Sequence, residues 1–273
     1  MTIQYDSIKL HLENFSDFDR GKKTILFLHG FTGSANDWKD VTSKLDKRFN
    51  KVAIDLIGHG KSSSPTDIRF YAIDSIIDQI ELIIRHVGLK EVILCGYSMG
   101  GRAALSLAVS KPNLIQGLIL ESSSAGIKNK NEREKRKRSD EELASYINNN
   151  SIEDFVTKWL DQEIFGTIRR FSNVKIKLIK EEKSKNSRTG LANSLRGFGT
   201  GAMPYLGSEL IRLKFPVLLI TGGLDEKSTQ INQSLRKLFP SASHKIISTA
   251  GHNTHLEEPK KFVEAVNKFL KQF

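Results

Sequence analysis

Five residues constrain this 273-residue chain more than any others: Gly96-Tyr97-Ser98-Met99-Gly100, set between the apolar run Val92-Ile93-Leu94-Cys95 and the helix-prone Gly101-Arg102-Ala103-Ala104-Leu105. A strand that turns into a helix over so few residues forces its central serine into a strained backbone conformation. Glycine on either side removes the side chains that would collide. Such an elbow holds the Ser98 oxygen at the tip of a sheet, with a helix N-terminus behind it. Gly and Ser are common in loops, so the motif acquires meaning from the strand before it and the helix after it.

The remaining pattern supplies a sheet for that elbow. Thr24-Ile25-Leu26-Phe27-Leu28 and Lys51-Val52-Ala53-Ile54-Asp55 are short, mostly apolar runs that end in glycine-containing loops, as buried parallel strands do. Ile73 to Val87 places apolar residues at 73, 76, 77, 80, 83, 84 and 87, one face of a helix. Val92–Leu94, Leu118–Leu120 and Val217–Thr221 read as further core strands. A last helix runs from Pro259 to about Leu270, with Phe262, Val263, Val266, Phe269 and Leu270 inward. Strands alternating with helices predict an α/β fold, a mostly parallel sheet covered on both faces. Residues 122–205 interrupt the rhythm, being rich in Lys, Arg, Asn, Ser and Glu with no convincing strand. The apolar spacing of Ile152, Phe155, Val156, Trp159 and Leu160 argues against a disordered loop. The expected organisation is a core of residues 1–121 and 206–273 with a helical cap, 122–205, above the C-terminal strand ends, where open α/β sheets bind ligands.

A serine hydroxyl is a poor nucleophile or base until a neighbour accepts its proton. His252, in Thr249-Ala250-Gly251-His252-Asn253, follows the run Lys245-Ile246-Ile247, and Asp225 closes Thr221-Gly222-Gly223-Leu224-Asp225. Alone, Asp225 is an ordinary helix N-cap and His252 a loop residue. Together, the order Ser98, Asp225, His252 is that of a triad on this architecture, with Asp225 holding the His252 tautomer. His29-Gly30-Phe31-Thr32-Gly33 follows a strand, so the Phe31 and Met99 backbone N–H groups are the expected oxyanion-hole donors. Ile57-Gly58-His59-Gly60-Lys61-Ser62 lacks the spacing of a phosphate loop and reads as a structural turn; His59 and His255 read as bystanders. The one cysteine, Cys95, lies on an apolar strand and reads as a buried structural thiol.

The net charge of +11 admits three causes: nucleic-acid binding, solvated helix faces, and attraction of an anionic small substrate. The densest basic run, Lys128 to Arg138, has no helix-turn-helix, zinc-ligand or RNA-recognition pattern beside it. Met1-Thr2-Ile3-Gln4-Tyr5-Asp6 shows no basic segment leading into an apolar one, and no apolar run approaches the ~20 residues of a membrane span. The expectation is a cytoplasmic protein with neither nucleic acid nor membrane as partner.

By these residues the chain resembles the α/β-hydrolase superfamily over nearly its full length. Four segments narrow the resemblance: Gly96-Tyr97-Ser98-Met99-Gly100-Gly101-Arg102; Leu120-Glu121-Ser122-Ser123-Ser124-Ala125-Gly126 followed by Glu132-Arg133 and Arg136 to Asp140; Leu191-Ala192-Asn193-Ser194-Leu195-Arg196-Gly197-Phe198-Gly199-Thr200-Gly201; and Gly251-His252-Asn253-Thr254-His255-Leu256-Glu257. This set is similar to the 2-succinyl-6-hydroxy-2,4-cyclohexadiene-1-carboxylate synthase family of menaquinone biosynthesis. The resemblance implies a lyase that eliminates pyruvate without metal or other cofactor, with Ser98, activated by His252 and Asp225, as the base. It also implies a polyanionic small-molecule substrate, Arg102 and Arg136 as carboxylate-binding residues, and Tyr97 and Trp159 as pocket aromatics. Two departures stand out. Where the family has a further cap arginine this chain has Lys183, which the resemblance implies as a substrate-binding residue, with Arg188 nearby, and the phenylalanine that commonly follows the lysine at 227 is missing. Lysine keeps the charge of an arginine but not its bidentate fork. The alternative is a carboxylic-ester hydrolase using the same triad through an acyl-enzyme, because fold and triad do not by themselves define the reaction. A third reading, a module that docks its basic segment to nucleic acid or acidic membrane, predicts salt-dependent binding indifferent to Ser98.

Overall fold

The computed structural model describes residues 1–89 and 91–273. Eight strands, β1 (Thr2–Tyr5), β2 (Ile8–Asn14), β3 (Thr24–Leu28), β4 (Asn50–Ile54), β5 (Val92–Tyr97), β6 (Ile115–Glu121), β7 (Val217–Gly222) and β8 (Ala242–Ile247), form one sheet in the order β1-β2-β4-β3-β5-β6-β7-β8. From β4 to β8 all neighbours are parallel. β1 and β2 form an antiparallel hairpin closed by Asp6-Ser7, with Asp6 at φ 48°, and β2 runs antiparallel to β4. This hairpin adds to the elements expected from the sequence. Its signal is the alternation of buried Ile8, Leu10 and Leu12 with polar residues, over too few positions to stand out.

The helices are α1 (Lys39–Thr42), α2 (Ile73–Val87), α3 (Met99–Ser110), α4 (Lys130–Asn149), α5 (Ile152–Leu160), α6 (Asn173–Ser184), α7 (Arg188–Phe198), α8 (Glu226–Arg236), α9 (Thr254–Glu257) and α10 (Pro259–Leu270). Successive strand residues feed opposite cores. Leu26, Leu28, Val52, Ile54, Leu94 and Leu120 pack with Ile76, Ile80 and Ile83 of α2 and with α3. Ile25, Phe27, Ala53, Ile93 and Ile119 pack on the other face with Trp38 and with Phe262 and Phe269 of α10. Burial on both faces is why these strands are unbroken apolar runs. Cys95 belongs to the second core, where burial pushes its thiol pKa well up.

Between β6 and β7 the described chain forms α4, α5, a 3-10 segment at Glu163–Arg170, α6 and α7, and no strand. These elements share a core of Phe155, Val156, Leu191 and Ala192, against which Phe31 from the loop after β3 also packs. The basic run lies on α4, which buries only Asp140, Ala144 and Ile147 and leaves its Lys and Arg side chains largely in solvent. No described helix is long and apolar enough to cross a membrane.

The order β4-β3-β5 means that the chain adds its next strand on one side of β3 and the following one on the other. Loops leaving the C-terminal ends of β3 and β5 therefore diverge and open a crevice between them, the usual ligand position in such sheets. Phe31 and Ser98 sit on those two loops.

Candidate active site

Ser98 joins the end of β5 to α3 as its N-cap at φ 49°, ψ −106°, a left-handed conformation costly for a residue with a side chain. The surroundings hold it there. The Ser98 N–H donates to the Glu121 carbonyl at 2.8 Å, and the Ser98 carbonyl accepts from the Arg102 N–H at 3.1 Å and the Ser123 hydroxyl at 3.0 Å. The glycines of the elbow are required by contact: a Cβ at Gly96 would lie 2.4 Å from the Gly100 oxygen, and one at Gly100 would lie 2.2 Å from the Leu28 oxygen.

Ser98 Oγ lies 3.1 Å from His252 Nε2, and His252 Nδ1 lies 2.6 Å from Asp225 Oδ2. Nδ1–H thus donates to the carboxylate, leaving Nε2 to accept the serine proton. Asp225 does two jobs: its other oxygen accepts the Ser228 N–H at 3.0 Å and caps α8. Burial pulls the Asp225 pKa up. The His252 bond and charge, with the Ser228 bonds, outweigh it and hold the carboxyl below its ordinary value. A carboxylate that stays ionised is what a protonated imidazole needs beside it.

Residues the sequence reading did not assign to the site hold the His252 loop. The Glu257 carboxylate accepts the Gly251 N–H at 2.7 Å and the Asn253 N–H at 3.1 Å, bracketing His252 from both sides. Glu121, fully buried at the end of β6, takes the Thr254 hydroxyl at 2.7 Å, the His255 N–H at 2.9 Å and His255 Nδ1 at 2.6 Å. His255 in turn stacks on Trp38 at 4.2 Å. It is a structural anchor. Phe165, also unassigned, sets its ring 6.0 Å from His252 and 5.5 Å from Trp159. The sequence carried a signal for Glu257 and Asp140, both inside quoted segments, but none for Phe165.

Neither the Phe31 nor the Met99 amide donates to an acceptor among the described residues. Met99 opens α3, where amides lack an intrahelical partner and the helix dipole favours negative charge. The Phe31 loop is backed by His29 and His59, with ring centroids 5.0 Å apart. His29 Nδ1 meets the Gly30 carbonyl at 2.8 Å, and its Nε2 accepts the Leu56 N–H at 3.0 Å, an arrangement of the neutral ring. Burial, then the neighbouring His29, holds the His59 pKa down to about 3. Because this folded value lies below the ordinary 6.5, His59 contributes stability that is present above about pH 6.5 and lost as pH falls towards 3. Between pH 6.5 and 5, wild type is expected to lose about 1.6 kcal/mol more stability than His59→Gln, as one proton linkage requires. Urea midpoints at the two pH values measure this; parallel losses would remove His59 from the account.

A cavity of about 710 Å³ opens over Ser98 and His252, lined by Phe31, Tyr97, Arg102, Arg136, Trp159 and Lys227 among others. The Tyr97 ring lies 5.4 Å from His252, and glycine at 30 is needed for it, since a Cβ there would stand 2.6 Å from the ring. Trp159 meets the Phe31 ring edge-on at 5.1 Å. Arg102 donates to the Phe198 carbonyl at 3.2 Å, while its buried Nε has no protein partner. Burial, reinforced by the Arg136 charge and opposed by Asp140, lowers its pKa to about 10. Arg136 is held through Nε by Asp140 Oδ1 at 2.7 Å. Lys183 does not line this cavity, contrary to the substrate-contacting position expected for it. It lies where its charge helps depress His29 and His59, because the turn between α6 and α7 is tied to the Phe31 loop by Asn186, which donates to the Thr32 carbonyl at 2.9 Å. Arg188 is also drawn elsewhere, to the Asn150 carbonyl at 3.0 Å. A second hollow of about 820 Å³, between β8 and α10, contains no triad residue.

A mostly parallel sheet carrying a serine elbow after β5, an aspartate after β7 and a histidine after β8 defines the class, and residues 23–259 match the alpha/beta hydrolase fold. The chain belongs to the α/β-hydrolase fold family. A Bacillus subtilis (strain 168) protein provisionally named 2-succinyl-6-hydroxy-2,4-cyclohexadiene-1-carboxylate synthase is 38% identical over 91% of this chain and 90% of its own length. The synthase of that name from Serratia proteamaculans (strain 568) is 29% identical over 90% and 92%. The structure of MenH from S. aureus superposes with a TM-score of 0.90 at 31% identity, covering 96% of this chain and 98% of that one. Within the fold family, this chain belongs to the 2-succinyl-6-hydroxy-2,4-cyclohexadiene-1-carboxylate synthases.

Proposed function

We propose that this chain is a lyase of menaquinone biosynthesis, eliminating pyruvate from 2-succinyl-5-enolpyruvyl-6-hydroxy-3-cyclohexene-1-carboxylate to give 2-succinyl-6-hydroxy-2,4-cyclohexadiene-1-carboxylate. The observation that carries the reading is a Ser98–His252–Asp225 chain opening into a cavity that also contains Arg102 and Arg136. A neutral ester needs no such cations, whereas a substrate with three carboxylates does. The ester-hydrolase alternative is not favoured: an esterase from Exiguobacterium antarcticum shares the fold at 18% identity, which speaks to fold alone.

The geometry supports the following chemistry. His252 Nε2 takes the Ser98 proton, and the serine oxygen removes the ring proton beside the succinyl carbonyl. The developing enolate oxygen is stabilised by the Phe31 and Met99 amides. Electron density returning from the enolate shifts the ring double bond and breaks the carbon–oxygen bond to the enolpyruvyl group. The ring proton restores the Ser98 hydroxyl and the proton on His252 goes to the departing pyruvate enolate, so atoms balance without a co-reactant. The helices of 122–205 serve as the cap, contributing Arg136, Trp159 and Phe165 to the cavity.

Incubation with the cyclohexene intermediate is expected to release pyruvate faster than a short p-nitrophenyl ester is hydrolysed; the reverse order would overturn the proposal. Arg102→Ala is expected to weaken turnover of the trianion by about 2 kcal/mol or more, the scale of a lost charge-assisted bond. Unchanged steady-state kinetics in that variant would remove Arg102 from substrate binding.

A further inference from the structure

The three carboxylates of the substrate exceed the two cavity arginines, one of which already shares its charge with Asp140. Lys183, which would complete the set by its place in the sequence, does not line the cavity. A different cation does. Lys227 stands on the first turn of α8, and α8 presents Lys227, Gln230, Ile231 and Ser234 to the cavity, one helical face at spacings of three, four and seven residues. No ion pair or hydrogen bond occupies its ammonium group among the described residues, although acidic Glu226 is adjacent in sequence. Asp225 is already committed to His252 and Ser228.

We infer that Lys227 is a substrate-binding residue that takes the third carboxylate, the one left over by Arg102 and Arg136. The inference rests on the lyase reading for the identity of the trianion. A lysine suits the place: its ammonium is a compact charge on a flexible stem, able to follow a carboxylate without the bidentate geometry an arginine imposes. The α8 N-terminus behind it adds a favourable dipole. Its position also separates recognition between elements. Arg102 and Arg136 come from α3 and α4, while Lys227 comes from the helix that Asp225 caps, so one carboxylate is held beside the aspartate–histidine arm of the site.

Two measurements test this. In steady state, Lys227→Met is expected to raise KM about tenfold with kcat little changed, the signature of binding felt equally in ground and transition states, and Lys227→Arg is expected to recover most of the loss. Lys268→Met, which removes one charge from the distant α10, is expected to leave KM unchanged; an equal rise there would reduce the effect to net charge and overturn the proposal. Independently of turnover, calorimetric titration of the cyclohexene trianion into Ser98→Ala and into Ser98→Ala/Lys227→Met is expected to show about tenfold weaker binding in the double variant. Equal affinities, or no binding to either, would overturn the Lys227 assignment. Lysine-dependent binding with no pyruvate release by wild type would retain the carboxylate site and sink the lyase reading instead.

Discussion

His252→Ala is expected to slow pyruvate release by about 10³–10⁴-fold, the range a positioned general base contributes. The imidazole sits 3.1 Å from Ser98 Oγ and is held from its other nitrogen by Asp225, so no other described side chain is placed to take the serine proton. Ser98→Ala should cost a similar factor, and the double variant little more than either single one, since residues that act as a unit are not additive. Steady-state pyruvate release from purified variants, with circular dichroism to confirm folding, measures all three. A loss below tenfold in folded His252→Ala, or losses that multiply in the double variant, would show that the pair does not work as one proton relay.

The largest stability effect is expected at His255→Ala. Glu121 is completely buried, and His255 supplies two of its three hydrogen-bonding contacts, one from the ring and one from the backbone. Removing the ring leaves a buried carboxyl short of a partner and opens the space stacked on Trp38, a loss of about 3 kcal/mol or more. Paired replacement, Glu121→Leu/His255→Leu, should cost less than the summed single variants, because neither partner is then stranded. Chemical denaturation of the four proteins gives the cycle; additive losses would mean the pair is not coupled. The same pair bears on the chemistry. The Glu121 carbonyl anchors the Ser98 amide while its side chain grips residues 254 and 255, so one residue ties the elbow to the histidine loop.

Much of the site was legible in the residue order. The elbow glycines stand where any side chain would strike backbone, and that demand was visible as Gly-x-Ser-x-Gly between a strand and a helix. Asp225 and His252 were legible because each follows an apolar strand in triad order. Asp225 turned out to satisfy its ordinary reading as well, capping α8 with one oxygen and orienting His252 with the other. The N-terminal hairpin was not legible, since four and seven residues of alternation carry little periodic signal. Lys183 and Lys227 make the clearest contrast. Both are lysines near segments the resemblance singled out, and sequence position favoured the first.

The sequence by itself determined what local physics encodes: strands apolar on both faces, helices with one apolar face, a serine held in a forbidden turn, and acid and base in order behind it. Only the tertiary structure decided which charged groups meet the cavity, because that depends on how helices from separate parts of the chain pack. The Asn186 bond that ties the turn after α6 to the Phe31 loop takes Lys183 away from the cavity; α8, which Asp225 caps, lines the cavity with Lys227; burial leaves Arg102, one turn into α3 from Ser98, with an unpartnered nitrogen. None of these relations has a period or a motif. They arise from contacts between residues tens to hundreds of positions apart, which one-dimensional spacing does not carry.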